Sequence, residues 1–172
     1  MILSREKKNV GVLFVCQALF ITIWTMMTIV SGLTGAALAT DKALATLPFT
    51  AMIIGNALST VPAALLMKRI GRRAGFLVGT AICVAGALIA AYAVYMGNFW
   101  LFAGGSLVMG IYAGFAQFYR FAAADTASPE FKSRAISLVV AGGLVAAVTG
   151  PELIEWTRTI SPVAFAGAFV VM

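Results

Sequence analysis

An all-α fold, a polytopic bundle of transmembrane helices, is predicted for this chain by three features of its sequence. Five long apolar runs and the start of a sixth fill it, and positive charges gather in alternate gaps between them. The composition agrees, with 62% hydrophobic and 10% charged residues and a mean hydropathy of +1.00. The runs are Val10–Leu38, Ala43–Met67, Ala74–Met96, Phe99–Ala124, Ala135–Trp156 and Val163–Met172. Each of the first five reaches the ~20 residues that cross ~30 Å of hydrocarbon. No water in that layer can take up backbone N–H and C=O groups, so the runs must be helices.

Span one follows Arg5, Lys7 and Lys8. Lys68, Arg69, Arg72 and Arg73 separate spans two and three, and Lys132 and Arg134 stand between spans four and five. The opposite gaps hold Lys42, then the uncharged Gly97–Asn98 turn, then Arg158. Positive residues stay on the cytoplasmic side, which places the N-terminus inside. A cleavable signal peptide could end at Ala37-Leu38-Ala39, but span one is about twice the usual length of such an apolar core. Asp41 is expected to cap span two and Asn98 span four. Pro48 and Pro62 in span two and Pro151 in span five are expected to bend their helices. Ser128-Pro129-Glu130 reads as the start of helix five, and Ser161-Pro162 as that of helix six. Span six stops at Met172, about half the length of a crossing, which reads as the front part of a longer protein.

Small residues recur four apart at Gly71, Gly75 and Gly79, and at Gly110 and Gly114, a spacing that lets helices approach closely. Cys16 and Cys83 lie within spans and read as packing residues. Histidine is absent and no metal ligands cluster, so no metal and no cofactor are expected. The net charge of +6 follows from topology, and no nucleic-acid partner is expected.

The loop after span two reads Ala64-Leu65-Leu66-Met67-Lys68-Arg69-Ile70-Gly71-Arg72-Arg73. It resembles the cytoplasmic loop signature of the major facilitator superfamily, Gly-x-x-x-Asp-Arg-x-Gly-Arg-Arg. Arg69, Gly71, Arg72 and Arg73 fit. Ala64 replaces the family's Gly, and Lys68 replaces an Asp that takes part in a charge latch between helices. Lysine accepts no hydrogen bond, so a latch here needs another acid, Asp125 or a residue beyond Met172. Gly142-Gly143 and Gly150-Pro151 in span five resemble a Gly-Pro segment of many family antiporters, without the glycine pair that follows there. The resemblance implies a six-helix N-terminal half across residues 1–172, five spans complete and a sixth begun, whose C-terminal half is a partner absent from this sequence.

Polar groups inside the spans are the candidate site. An ionisable group at mid-membrane costs about 2.5–3.5 kcal/mol, so its presence points to a use. Arg120 near the end of span four can snorkel to the headgroups, pair with Asp125, or bind an anionic solute group. Glu152, beside Pro151, is either an interfacial residue or the proton-coupling carboxylate. Gln17, Thr25, Asn56 and Gln117 can hydrogen-bond a solute, and Trp24 and Tyr112 can stack on a flat one. Thr22, Thr28, Ser59, Tyr119 and Phe115 lie near them.

The resemblance implies a secondary transporter that moves a small organic solute by alternating access, driven by protons. It is not an enzyme on this reading. A membrane-integral scaffold or a subunit of a membrane enzyme complex is the alternative. The expected partners are the lipid bilayer and the solute. Short outer turns and abundant small residues point to a bacterial inner membrane.

Overall fold

A computed structural model describes residues 2–157, with side chains for 6–146, 149 and 152. Span six, Arg158 and Ser161-Pro162 lie outside the described residues, as do the side chains of Gly150, Pro151 and Glu155. Among the described residues every regular element is helical: α1 (Ile2–Leu38), α2 (Leu47–Ile70), α3 (Arg72–Tyr95), α4 (Phe99–Ala116), α5 (Tyr119–Thr126) and α6 (Lys132–Thr157). The regions Glu6–Leu38, Lys42–Ile70, Arg72–Tyr95 and Phe99–Thr126 are each long and apolar enough to cross a membrane.

Local chemistry sets the joints, and it corrects several expectations. Asp41 caps a short 3-10 turn, Lys42–Leu44, by accepting from the Ala43 N–H at 2.9 Å, rather than capping α2 itself. Pro48 falls in the first turn of α2, where its missing N–H is harmless, so it does not bend the helix; Pro62 does lie inside it. Asn98 caps α4 by accepting from the Leu101 N–H at 3.0 Å. Ser128-Pro129-Glu130 belongs to a turn closed by Phe131 N–H donating to the Ser128 carbonyl, and α6 begins only at Lys132. Gly71 does not join the glycine stripe. It is the joint between α2 and α3 at φ 85°, a left-handed value that favours glycine.

Span four is not one helix. Gln117 N–H still reaches the Ala113 carbonyl, but Phe118 N–H steps back only three residues, to Phe115. The tightened turn ends α4, and the chain resumes as α5.

Helix α4 packs along both α2 and α3, α1 packs along α6, and α5 bridges α1 and α6. The α2–α4 seam is glycine-tight. A Cβ on Gly110 would sit 2.1 Å from the Met52 carbonyl oxygen, one on Gly55 2.2 Å from the Leu107 carbonyl, and one on Gly114 2.1 Å from Ser59 Oγ. Between α3 and α4, a Cβ on Gly79 would strike Phe115, and one on Gly86 would strike Met109. Gly142 of α6 lies against the α1 backbone, where a Cβ would come 2.6 Å from the Phe14 carbonyl. Helices surrounded by lipid gain little by burying apolar surface against each other, so such close backbone contact is what holds them.

Candidate functional site

Helix α1 has two unlike sides. At 3.6 residues per turn, Gln17, Trp24 and Thr28 fall on one narrow arc, with Thr25 at its edge. On one flank of that arc, Phe20 and Met27 pack toward α2 and α4. On the other, Phe14, Ala18 and Ile21 meet the glycines of α6. Thr22 lies 3.1 Å from Thr149 across the same contact, oxygen to oxygen. The arc between is left half-open: Gln17, Trp24 and Thr25 are half-buried and Thr28 is exposed. Gln17 and Thr25 make no side-chain hydrogen bond among the described residues, whereas the Thr28 hydroxyl donates back to the Trp24 carbonyl.

Trp24 opens an aromatic chain. Its ring centroid is 6.2 Å from that of Phe20, which meets Tyr112 edge-on at 5.8 Å. These rings, with Ile23, Met27, Met52 and Met109, enclose a hollow of about 10 Å³. That holds about one water, so the rings close on one another in this conformation.

One turn from Met52 stands Asn56, and past the end of α4 stands Gln117. The Gln117 Nε2 donates to Asn56 Oδ1 at 2.9 Å. Two candidates drawn from separate spans thus touch across the glycine seam, at the break that ends α4. Ser59 and Thr60 both donate to the Asn56 backbone carbonyl and stay out of the pair. Phe115 is buried against Gly79 and serves packing rather than the open arc.

The charged candidates separate. Arg120 does not pair with Asp125. It is exposed, and its guanidinium lies 5.1 Å from the Phe121 ring centroid. Asp125 instead accepts from Arg72, joining the end of α5 to the start of α3. Lys68 and Arg72 line a hollow of about 250 Å³ with Ala64, Met67 and Phe118. Arg69 and Arg73 are exposed. Glu152 is exposed on α6, about 30 Å along that helix from Lys132 at 1.5 Å per residue. The residues Gly150 and Pro151 lie within α6.

Sequence reasoning had no means of finding Thr149, because a lone threonine in an apolar run carries no signal until its partner on α1 is known. Gly55 had a signal that passed unused. It stands opposite Leu107 and Ile111, one turn from Gly110 in the same seam, and a search for small residues on both sides of a seam would have selected it.

The family model described as the Major Facilitator Superfamily matches residues 13–172. A curated relative from Brucella anthropi, "Riboflavin transporter RfnT", is 42% identical over 168 residues, or 97% of this chain and 42% of its own length. The chain therefore spans about two fifths of the length of that relative. No solved structure matches it.

Proposed function

The chain belongs to the Major Facilitator Superfamily, and we propose that it forms the N-terminal half of an alternating-access carrier for a flat, hydrogen-bonding solute of the riboflavin kind. The observation that carries the reading is the juxtaposition of the Phe20–Trp24–Tyr112 rings with the Asn56–Gln117 amides. Rings take the faces of an aromatic solute and amides take its polar edge. The similarity to a riboflavin transporter supports this cargo. The rings close on a hollow of about 10 Å³, so the solute needs a second arrangement in which they part.

In this reading residues 1–172 supply five complete spans and part of a sixth, and the half-open arc of Gln17, Trp24, Thr25 and Thr28 faces a C-terminal half. The ends bearing Lys68–Arg73 and Lys132–Arg134 lie in the cytoplasm with the N-terminus, by the rule for positive residues, and the membrane is a bacterial inner membrane. The Arg72–Asp125 pair is the part of a cytoplasmic latch that this half contributes. Arg120 snorkels beside Phe121. Glu152, at the outer end of α6, is the proton-coupling carboxylate.

Uptake of labelled riboflavin into vesicles carrying the full-length protein tests the reading. Uptake should exceed that of empty vesicles, fall several-fold in Trp24→Ala, and lose its dependence on a pH gradient in Glu152→Gln. Vesicles no better than empty ones would end the riboflavin assignment. Unchanged pH dependence in Glu152→Gln would take that residue out of the coupling role.

A further inference from the structure

Resting on the carrier reading, we infer that Asn56 and Gln117 recognise one kind of solute edge, the imide or lactam edge of a planar heterocycle, where an N–H stands beside a C=O. Their mutual bond uses one Gln117 Nε2 hydrogen and one lone pair of Asn56 Oδ1. The Asn56 Nδ2 donors and the Gln117 Oε1 acceptor take no protein partner among the described residues. The bonded pair thus leaves donors on one amide and an acceptor on its neighbour. An imide edge presents the converse: its carbonyl accepts from Asn56 Nδ2, and its N–H donates to Gln117 Oε1.

Position supports the pairing. Met52, one turn before Asn56, lines the aromatic hollow, and so does Tyr112, five residues before Gln117. The amides thus stand within about one and a half turns of the hollow, and a ring held by its faces between the aromatics is inferred to turn its edge toward them. The spacing of donor and acceptor is constrained by the seam, because α2 meets Gly110 and Gly114 of α4 at Met52 and Ser59, on either side of Asn56. An edge without the N–H leaves a half-buried amide carbonyl unpaired, which is the expensive outcome. Riboflavin carries the required edge, one ring N–H between two carbonyls, and so do smaller rings such as lumiflavin and 1-methylthymine.

Equilibrium binding to the purified full-length protein tests this, with riboflavin, lumiflavin and 1-methylthymine, each carrying a single ring N–H, measured against the derivative methylated on that ring nitrogen. Methylation should weaken binding to the wild type roughly tenfold to a hundredfold. In Asn56→Leu and Gln117→Leu the parent and methylated forms should bind alike. The wild-type comparison needs no variant to fold. Equal binding of parent and methylated rings to the wild type overturns the inference, as does discrimination that survives in both variants. Should riboflavin fail to bind while another imide-edged ring binds and is discriminated, the riboflavin assignment falls and this inference stands. Binding of none of the three rings overturns it.

Discussion

Two polar pairs stand at the two ends of α5, and they are built on opposite terms. Asn56–Gln117 joins α2 to the turn at the break itself, half-buried among helices. Arg72–Asp125 joins the start of α3 to the far end of α5, with side chains 36% and 55% exposed. The ion pair has the stronger intrinsic attraction, yet water and salt screen it, and exposed pairs contribute about 0–1 kcal/mol. The neutral amide bond contributes a similar net amount, about 0.5–1.5 kcal/mol, but breaking one partner leaves the other half-buried and unpaired. The inner tie is therefore costly to lose and the outer tie is cheap to release. Helix α5, only eight residues long, is pinned firmly at its root and lightly at its tip. Packing of its buried face against α1 and α6 also holds α5, so a swing of its charged end would need both the outer tie to release and that packing to slide.

The largest effect should come from breaking the seam on which the inner pair depends. In Gly110→Val, branched carbon is forced into the Met52 carbonyl, where even a Cβ would approach to 2.1 Å. Separation of α2 and α4 is expected, at about 3 kcal/mol or more, the upper range for overpacking. Thermal unfolding in detergent should register a lost or strongly lowered transition. A transition like the wild type's would mean that the seam is looser than described and that the amides are not held by it.

Next comes the pair itself. Asn56→Leu should destabilise by about 1–2 kcal/mol, because Gln117 keeps its desolvation penalty without its acceptor. The double variant Asn56→Leu with Gln117→Leu should recover part of that loss, since both polar groups are gone. A double-mutant cycle on unfolding midpoints reads the coupling. Additive losses would show that the two amides act separately, and the contrast with the outer pair would disappear.

What the sequence made legible follows the same division. The apolar spans and the Asn98 cap were readable, because hydrocarbon length and a side-chain cap are local facts. The starts of α2 and α6 were not, since Asp41 caps a separate 3-10 turn and Ser128-Pro129-Glu130 forms a turn before Lys132. The outer pair was half readable. The loop motif supplied the basic side, and Asp125 was one acid among those that could meet it. The inner pair was readable only as two separate polar residues, 61 positions apart in the chain. Nothing local joins them, because contact depends on how α2 and α4 cross, and Gly55, Gly110 and Gly114 set that crossing together. The break in span four left no mark either. No proline or glycine stands at Gln117-Phe118, and the alanine-rich stretch after it reads as continued helix. Pro48 misled for a related reason: its meaning depends on where α2 begins, and the 3-10 turn before it moves that start to Leu47.

The smallest effect should belong to the outer pair, and its smallness is the informative part. Arg72→Gln or Asp125→Asn should shift stability by no more than about 1 kcal/mol, and less at high salt. If α5 swings at its tip during transport, the same variants should alter the transport rate well beyond what that stability change explains. Surface ties that matter only for folding would leave the rate in step with stability. The charge-swapped double variant, Arg72→Asp with Asp125→Arg, then separates attraction from sequence context. Recovery of the rate would show that the pair acts by opposite charge alone. Continued loss would mean that Arg72 is needed for more than Asp125, and the hollow it shares with Lys68, Ala64 and Phe118 is where that second role would lie.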